Sequence, residues 1–191
     1  MPKIGVLAIQ GDFREHGLML DSIGQNWDEI RLPDQLNDLD GLIIPGGEST
    51  TIVQLIDTYN LRIPIQRLAS NGLAIWGTCA GMIVVAKTLS DKKPVPLGLM
   101  DIAVSRNAFG RQIDSFETTV SVTGIKGEPI HAVFIRAPQI LNTGPNVDIL
   151  STLENGTPVT VRENKILATS FHPELTEDTR MHELFVSIAG S

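Results

Sequence analysis

The chain has 191 residues, 42% hydrophobic and 19% charged, enough apolar material for a full core and too much for a disordered chain. Its 15 Lys and Arg against 22 Asp and Glu leave a net charge of -7. That balance argues against nucleic acid or an anionic membrane as the main partner, since both require a positive footprint.

The first half alternates strand and helix signals. Residues 4–9 form a short apolar run that stops at Gln10-Gly11, as a buried parallel strand would. This run meets Asp12, Arg14 and Glu15 too soon for a signal peptide, so the chain reads as soluble and cytoplasmic. Residues 13–23 carry Leu18, Leu20 and Ile23 and end at Gly24, a helix with a stop signal. A weaker strand over 28–32 precedes Pro33, and a buried strand over 39–44 is closed by Pro45-Gly46-Gly47. Ser49-Thr50-Thr51 is expected to cap the next helix, with Ile52, Leu55 and Ile56 on one face. A helix over 63–69, a strand over 73–76 and an apolar helix over 80–89 complete this half. The apolar stretch at 73–86 is broken by Gly77, Thr78 and Gly81 and is too short to span a bilayer.

Beyond about residue 94 the signals become short strands, at 102–104, 117–122, 132–135, 148–153, 158–162 and 165–170. Glu154-Asn155-Gly156-Thr157 reads as a hairpin turn, and residues 179–189 as a closing helix. Alternating β and α elements with an added antiparallel set indicate a three-layer α/β fold with a mainly parallel sheet. With no repeat and no linker, one domain over 1–191 is expected.

Cys79 is the only cysteine, so no internal disulfide forms, and it sits in Gly77-Thr78-Cys79-Ala80-Gly81 between a strand and an apolar helix. This small-x-nucleophile-x-small frame has the form of a nucleophile elbow with cysteine in place of serine. The glycines admit the crossing backbone, the helix start favours a thiolate, and the Ala80 N–H is placed to face an oxyanion. A lone cysteine is more often an inert core residue; the glycine frame shifts the balance toward chemistry.

A thiol needs a base. His172 lies in Ser170-Phe171-His172-Pro173-Glu174, directly after a strand, with Glu174 spaced to orient the ring. His16 and His182 are expected to be solvated on their helices, and His131 is ambiguous. Pro45-Gly46-Gly47-Glu48-Ser49-Thr50 also joins a strand to a helix, but lacks the Gly-Lys-Ser/Thr ending of a P-loop, which excludes nucleotide-phosphate binding of that kind.

Together these stations resemble the class I (triad) glutamine amidotransferases, whose signature is a cysteine elbow followed by a His-x-Glu turn. The finer resemblance is to the glutaminase subunits of pyridoxal 5'-phosphate synthases. It is carried by Gly41-Leu42-Ile43-Ile44-Pro45-Gly46-Gly47-Glu48-Ser49-Thr50-Thr51, by Gly5-Val6-Leu7-Ala8-Ile9-Gln10-Gly11 with Arg14-Glu15-His16, and by Arg106-Asn107-Ala108-Phe109-Gly110-Arg111-Gln112. Phe134-Ile135-Arg136-Ala137-Pro138 and Ser170-Phe171-His172-Pro173-Glu174-Leu175-Thr176 extend it nearly end to end.

The resemblance implies a flavodoxin-like amidotransferase fold, with Cys79 as nucleophile, His172 as base and Glu174 as its orienter. It implies glutamine binding by Gly46, Gly47, Glu48, Arg106, Ile135 and Arg136, and an oxyanion hole from Gly47 and Ala80. No metal or organic cofactor is implied, and the partner is a synthase subunit that receives the ammonia. Asp12 stands where such chains often have a small residue; it is expected not to touch the triad, and adjoins a region that in the family faces the synthase. The competing readings are the glutaminase of another synthase, such as imidazole glycerol phosphate synthase, a peptidase-like hydrolase of flavodoxin-like fold, or a silent scaffold.

Overall fold

The computed structural model describes residues 1–106 and 115–191; Asn107 to Gln112 of the arginine-rich block lie outside the described residues. Five strands form the parallel centre: β1 (Ile4–Leu7), β2 (Trp27–Ile30), β3 (Gly41–Ile44), β4 (Ala74–Thr78) and, far along the chain, β12 (Ile166–Thr169). β1 lies between β2 and β3, β4 follows β3, and β12 docks parallel on β4. β11 (Pro158–Glu163) and β10 (Asp148–Thr152) then extend the sheet antiparallel to seven strands. The turn expected at 154–157 joins that pair, with the Leu153 N–H donating to the Thr157 carbonyl at 2.9 Å.

The inner strands β1, β3, β4 and β12 are buried on both faces, so alternate residues feed two cores. Leu7, Leu42, Ile44, Ile75 and Ala168 pack on one side, under α2 (Ser49–Thr58), α3 (Arg62–Ser70) and α4 (Ala80–Val85). Ile4, Val6, Ile43, Trp76 and Leu167 pack on the other, against α1 (Phe13–Ser22) and α5 (Arg180–Ala189). The result is the three-layer α/β arrangement expected. β5 (Ala86–Leu89), β6 (Met100–Ser105) and β9 (Gln139–Thr143) form a second small sheet, and β7 (Ser115–Val120) pairs with β8 (Ile130–Ile135). Among the described residues no helix is long and apolar enough to cross a membrane.

Three local expectations are corrected. The apolar helix over 80–89 ends at Val85 and becomes β5, because residues 97–99 claim its carbonyls: the N–H groups of Leu97, Leu99 and Gly98 donate to Val84, Val85 and Ala86. β9 has too few apolar residues to announce itself and is held by pairing with β6. The cap of α2 is Glu48, not the Ser-Thr-Thr run: its carboxylate accepts from the Thr50 and Thr51 N–H groups at 3.0 and 2.6 Å.

Candidate active site

Parallel strands deliver their C-terminal loops to one edge of the sheet, where open α/β sheets bind ligands. Here β1 leads to Gln10-Gly11-Asp12, β3 to Pro45-Gly46-Gly47, β4 to Cys79, and β12 to His172. Cys79 is forced into a sharp reversal with φ 48° and ψ -105°, a conformation non-glycine residues hold only at a cost of about 1–3 kcal/mol. The glycines on either side are sterically obligatory. A Cβ on Gly77 would sit 2.4 Å from the Gly81 carbonyl oxygen, and one on Gly81 would sit 2.0 Å from that of Ile44. The Cys79 N–H donates to the Thr169 carbonyl at 2.8 Å, which ties the elbow to the strand that carries His172.

His172 and Glu174 are both about 5% exposed. Nδ1 of His172 lies 2.6 Å from Glu174 Oε1, and the Cys79 side chain is the ring's other interaction partner. The His172 N–H donates to the Val133 carbonyl at 2.8 Å, which fastens the loop to β8. Gly46 lies directly against the ring, since a Cβ there would approach His172 Cε1 to 2.5 Å. A cleft of about 540 Å³ opens over Cys79 and His172, with Gly47, Glu48, Ala80, Arg106, Ile135 and Arg136 in its walls.

Residues 6–190 of this chain match the SNO glutamine amidotransferase family. The chain belongs to that family. It is 57% identical over 189 residues to the pyridoxal 5'-phosphate synthase subunit PdxT of Dehalococcoides mccartyi, covering 98% of this chain and 97% of that protein. It is 53% identical to the subunit of the same name from Herpetosiphon aurantiacus, covering 97% and 99%. A crystal structure described as that of a glutamine amidotransferase superposes with a TM-score of 0.93 at 46% identity, covering 98% of this chain and 99% of that one.

The electrostatics of this amidotransferase centre on His172. Burial works against its charge, but the hydrogen bonds and charges of Cys79 and Glu174 outweigh burial and raise the ring to about 10. Burial raises Glu174 above the usual carboxylate range, opposed by its bond to His172. Asp12 also lines the cleft, with Oδ2 3.7 Å from His172 Nδ1. Burial raises it, the histidine lowers it and Glu15 raises it. Asp12, His172 and Glu174 bring potential metal ligands within 4.8 Å of one another, but His172 Nδ1 is already engaged by Glu174.

The residues expected to bind glutamine reach the cleft in different states. Gly46 supports it from behind, and Gly47, at φ 150°, forms its rim. The Glu48 carboxylate is committed to capping α2, and its three bonds to Thr50 and Thr51 offset the effect of burial and lower it to about 2. Arg106 is tied to Asp91 at 2.7 Å and to Thr50 Oγ1 at 3.1 Å. Ile135 presents its carbonyl 3.7 Å from Cys79 Sγ, and Arg136 follows with φ 45°.

Sequence reasoning missed three residues. Asp12, expected away from the triad, belongs to the cleft itself and lies beside His172. His16 and His182, expected in solvent, are fully buried behind Glu174. The signal was available in helical spacing: His16 shares a face with Leu20, and His182 with Phe185 and Ala189.

Proposed function

We propose that this chain, acting as one glutaminase domain over residues 1–191, hydrolyses L-glutamine to L-glutamate and ammonia in the cytoplasm. The ammonia passes to the synthase subunit of a pyridoxal 5'-phosphate synthase. The observation that carries the chemistry is the buried series Cys79, His172, Glu174 at the floor of a cleft walled by two arginines. The PdxT relatives, matched over nearly their full length, support the recipient.

In this scheme Glu174 holds the His172 ring by Nδ1, so that Nε2 faces the sulfur. The Cys79 thiolate, paired with the protonated His172 ring, attacks the δ-carbonyl carbon of glutamine. The Gly47 and Ala80 N–H groups stabilise the resulting oxyanion. Collapse of the intermediate breaks the C–N bond, with His172 giving its proton to the departing ammonia and a glutamyl thioester remaining on Cys79. His172 then draws a proton from water, which displaces the thiolate and releases glutamate. Arginine is suited to the substrate α-carboxylate because its planar fork matches two oxygens. Arg106 and Arg136 are the cations at the cleft for that role.

Ammonia free in water is protonated and ceases to be a nucleophile, so release must be coupled to a recipient. The oxyanion loop at Gly46-Gly47 is completed on docking of the synthase subunit, and the isolated chain is correspondingly slow. The test is glutamine-dependent ammonia release by wild type and Cys79→Ala, each with and without the synthase subunit. Strong stimulation by the subunit, abolished in Cys79→Ala, is expected. Full turnover by Cys79→Ala, or fast turnover of the isolated chain, refutes the scheme.

A further inference from the structure

Behind the Glu174 carboxylate two buried histidines extend the line of polar groups. His16 on α1 and His182 on α5 are both 0% exposed. His16 Nδ1 lies 2.9 Å from His182 Nε2, while its Nε2 lies 3.0 Å from Thr78 Oγ1 and 3.5 Å from Glu174 Oε2. Trp76 packs its edge against both rings, with centroids at 5.6 and 4.9 Å. Glu174 Oε1 is taken by His172; Glu174 Oε2 and His182 Nδ1 have no hydrogen-bond partner among the described residues. Burial pushes both rings well below the ordinary imidazole value, His16 with help from the charges of His182 and His172, so each is neutral and carries one N–H.

Counting protons leaves two arrangements for the His16–His182 contact. If His16 Nδ1 donates, its Nε2 turns a bare lone pair toward Glu174, and the proton of His182 sits on Nδ1 with nothing to accept it. If His182 Nε2 donates, the proton of His16 sits on Nε2, between the Thr78 hydroxyl and Glu174 Oε2. The only group then left over is the His182 Nδ1 lone pair. A buried donor without an acceptor is the rarer and costlier defect, and a carboxylate oxygen requires a donor. The second arrangement is better at both ends.

We propose that His16 is a positioning residue for the Cys79–His172–Glu174 series, with its Nε2–H directed at the outer oxygen of Glu174 and its tautomer locked by His182. This rests on the glutaminase reading above. His16 acts through Glu174. It fixes the plane of the carboxylate and hence the tilt of His172, and through Thr78 it joins that carboxylate to the residue preceding Cys79. The other charged or titratable groups that face the carboxylate are His172 and Asp12.

Two readouts test it. Long-range proton–nitrogen NMR on the histidine-labelled chain near neutral pH should show His16 and His182 both neutral and both protonated at Nε2. A proton on His182 Nδ1, or a charged His16, overturns the proposal without reference to activity. In the complex with the synthase subunit, His16→Leu should lower kcat for glutamine hydrolysis about tenfold to a hundredfold, with KM changed less than about twofold. His16→Gln, whose amide N–H reaches the Nε2 position, should recover most of that loss. A Gln variant no better than Leu, or an effect confined to KM, overturns it. If His16→Leu does not fold, His182→Phe carries the kinetic test: kcat should fall at least about threefold, and an unchanged kcat overturns the proposal. Wild type and Cys79→Ala run alongside, so that failure of the glutaminase reading is seen separately, as hydrolysis that survives loss of the thiol.

Discussion

The buried histidine pair makes the fold acid-sensitive in a way that can be assigned to one residue. Burial lowers His182 from the ordinary 6.5 to about 3. As pH falls through 6.5 the unfolded chain takes up a proton that the folded chain refuses until about 3, so the unfolded state binds more protons and stability drops. Between about pH 7.5 and about pH 5 this one group costs ~2 kcal/mol of folding stability. His16, lowered for the same reason, acts in the same direction. Glu174 and Asp12, raised by burial, act oppositely, since the folded state protonates them first. The assay is urea unfolding of wild type and His182→Phe at both pH values; phenylalanine retains the ring packing on Trp76. Comparing the two pH losses cancels the shared groups away from residue 182; His16, which the His182 charge helps to lower, changes in the same direction as the substitution itself. The loss in His182→Phe should be smaller by ~2 kcal/mol. Equal losses in the two proteins would refute a neutral, buried His182.

Alkaline behaviour should follow His172. Its raised value means that its contribution to stability is fully present below 6.5 and is lost as pH rises through about 10, and the proton needed by departing ammonia is lost over the same range. Paired unfolding and rate profiles from neutral to alkaline pH check this; a rate that falls already near 6.5 would contradict it. Gly46→Ala should lower kcat far more than it raises KM, because its Cβ would displace the His172 ring from 2.5 Å, and steady-state kinetics in the complex measure the split. Glu48→Ala should cost about 1 kcal/mol of stability by uncapping α2, read as a lower urea midpoint with an unchanged slope.

Much of this molecule is written locally. The apolar runs of β1, β3 and β4 are too short for helices and too continuous for a half-exposed strand, so a parallel sheet follows from the sequence alone. The elbow is legible in its small-x-nucleophile-x-small frame, and Gly77 is required by the nearby Gly81 carbonyl, whereas Gly81 is required by the carbonyl of Ile44 on β3. The spacing of His172 and Glu174 likewise lies within one turn.

What tertiary structure decided is which surfaces face inward. His16 and His182 look like solvated helix residues until α1 and α5 close on Trp76, when desolvation removes their charge and leaves His16 against Glu174 and His182 against His16. The Glu48 cap, by contrast, is a local contact to N–H groups two and three residues ahead. Residues 86–89 left the helical pattern because strand β6, reached across the loop that follows them, offered them a partner. Apolar runs, turn frames and short spacings involve near neighbours and so are legible along the chain, whereas close approaches such as Gly81 to Ile44, burial, and the protonation states that follow from it depend on residues that meet only when the chain is folded.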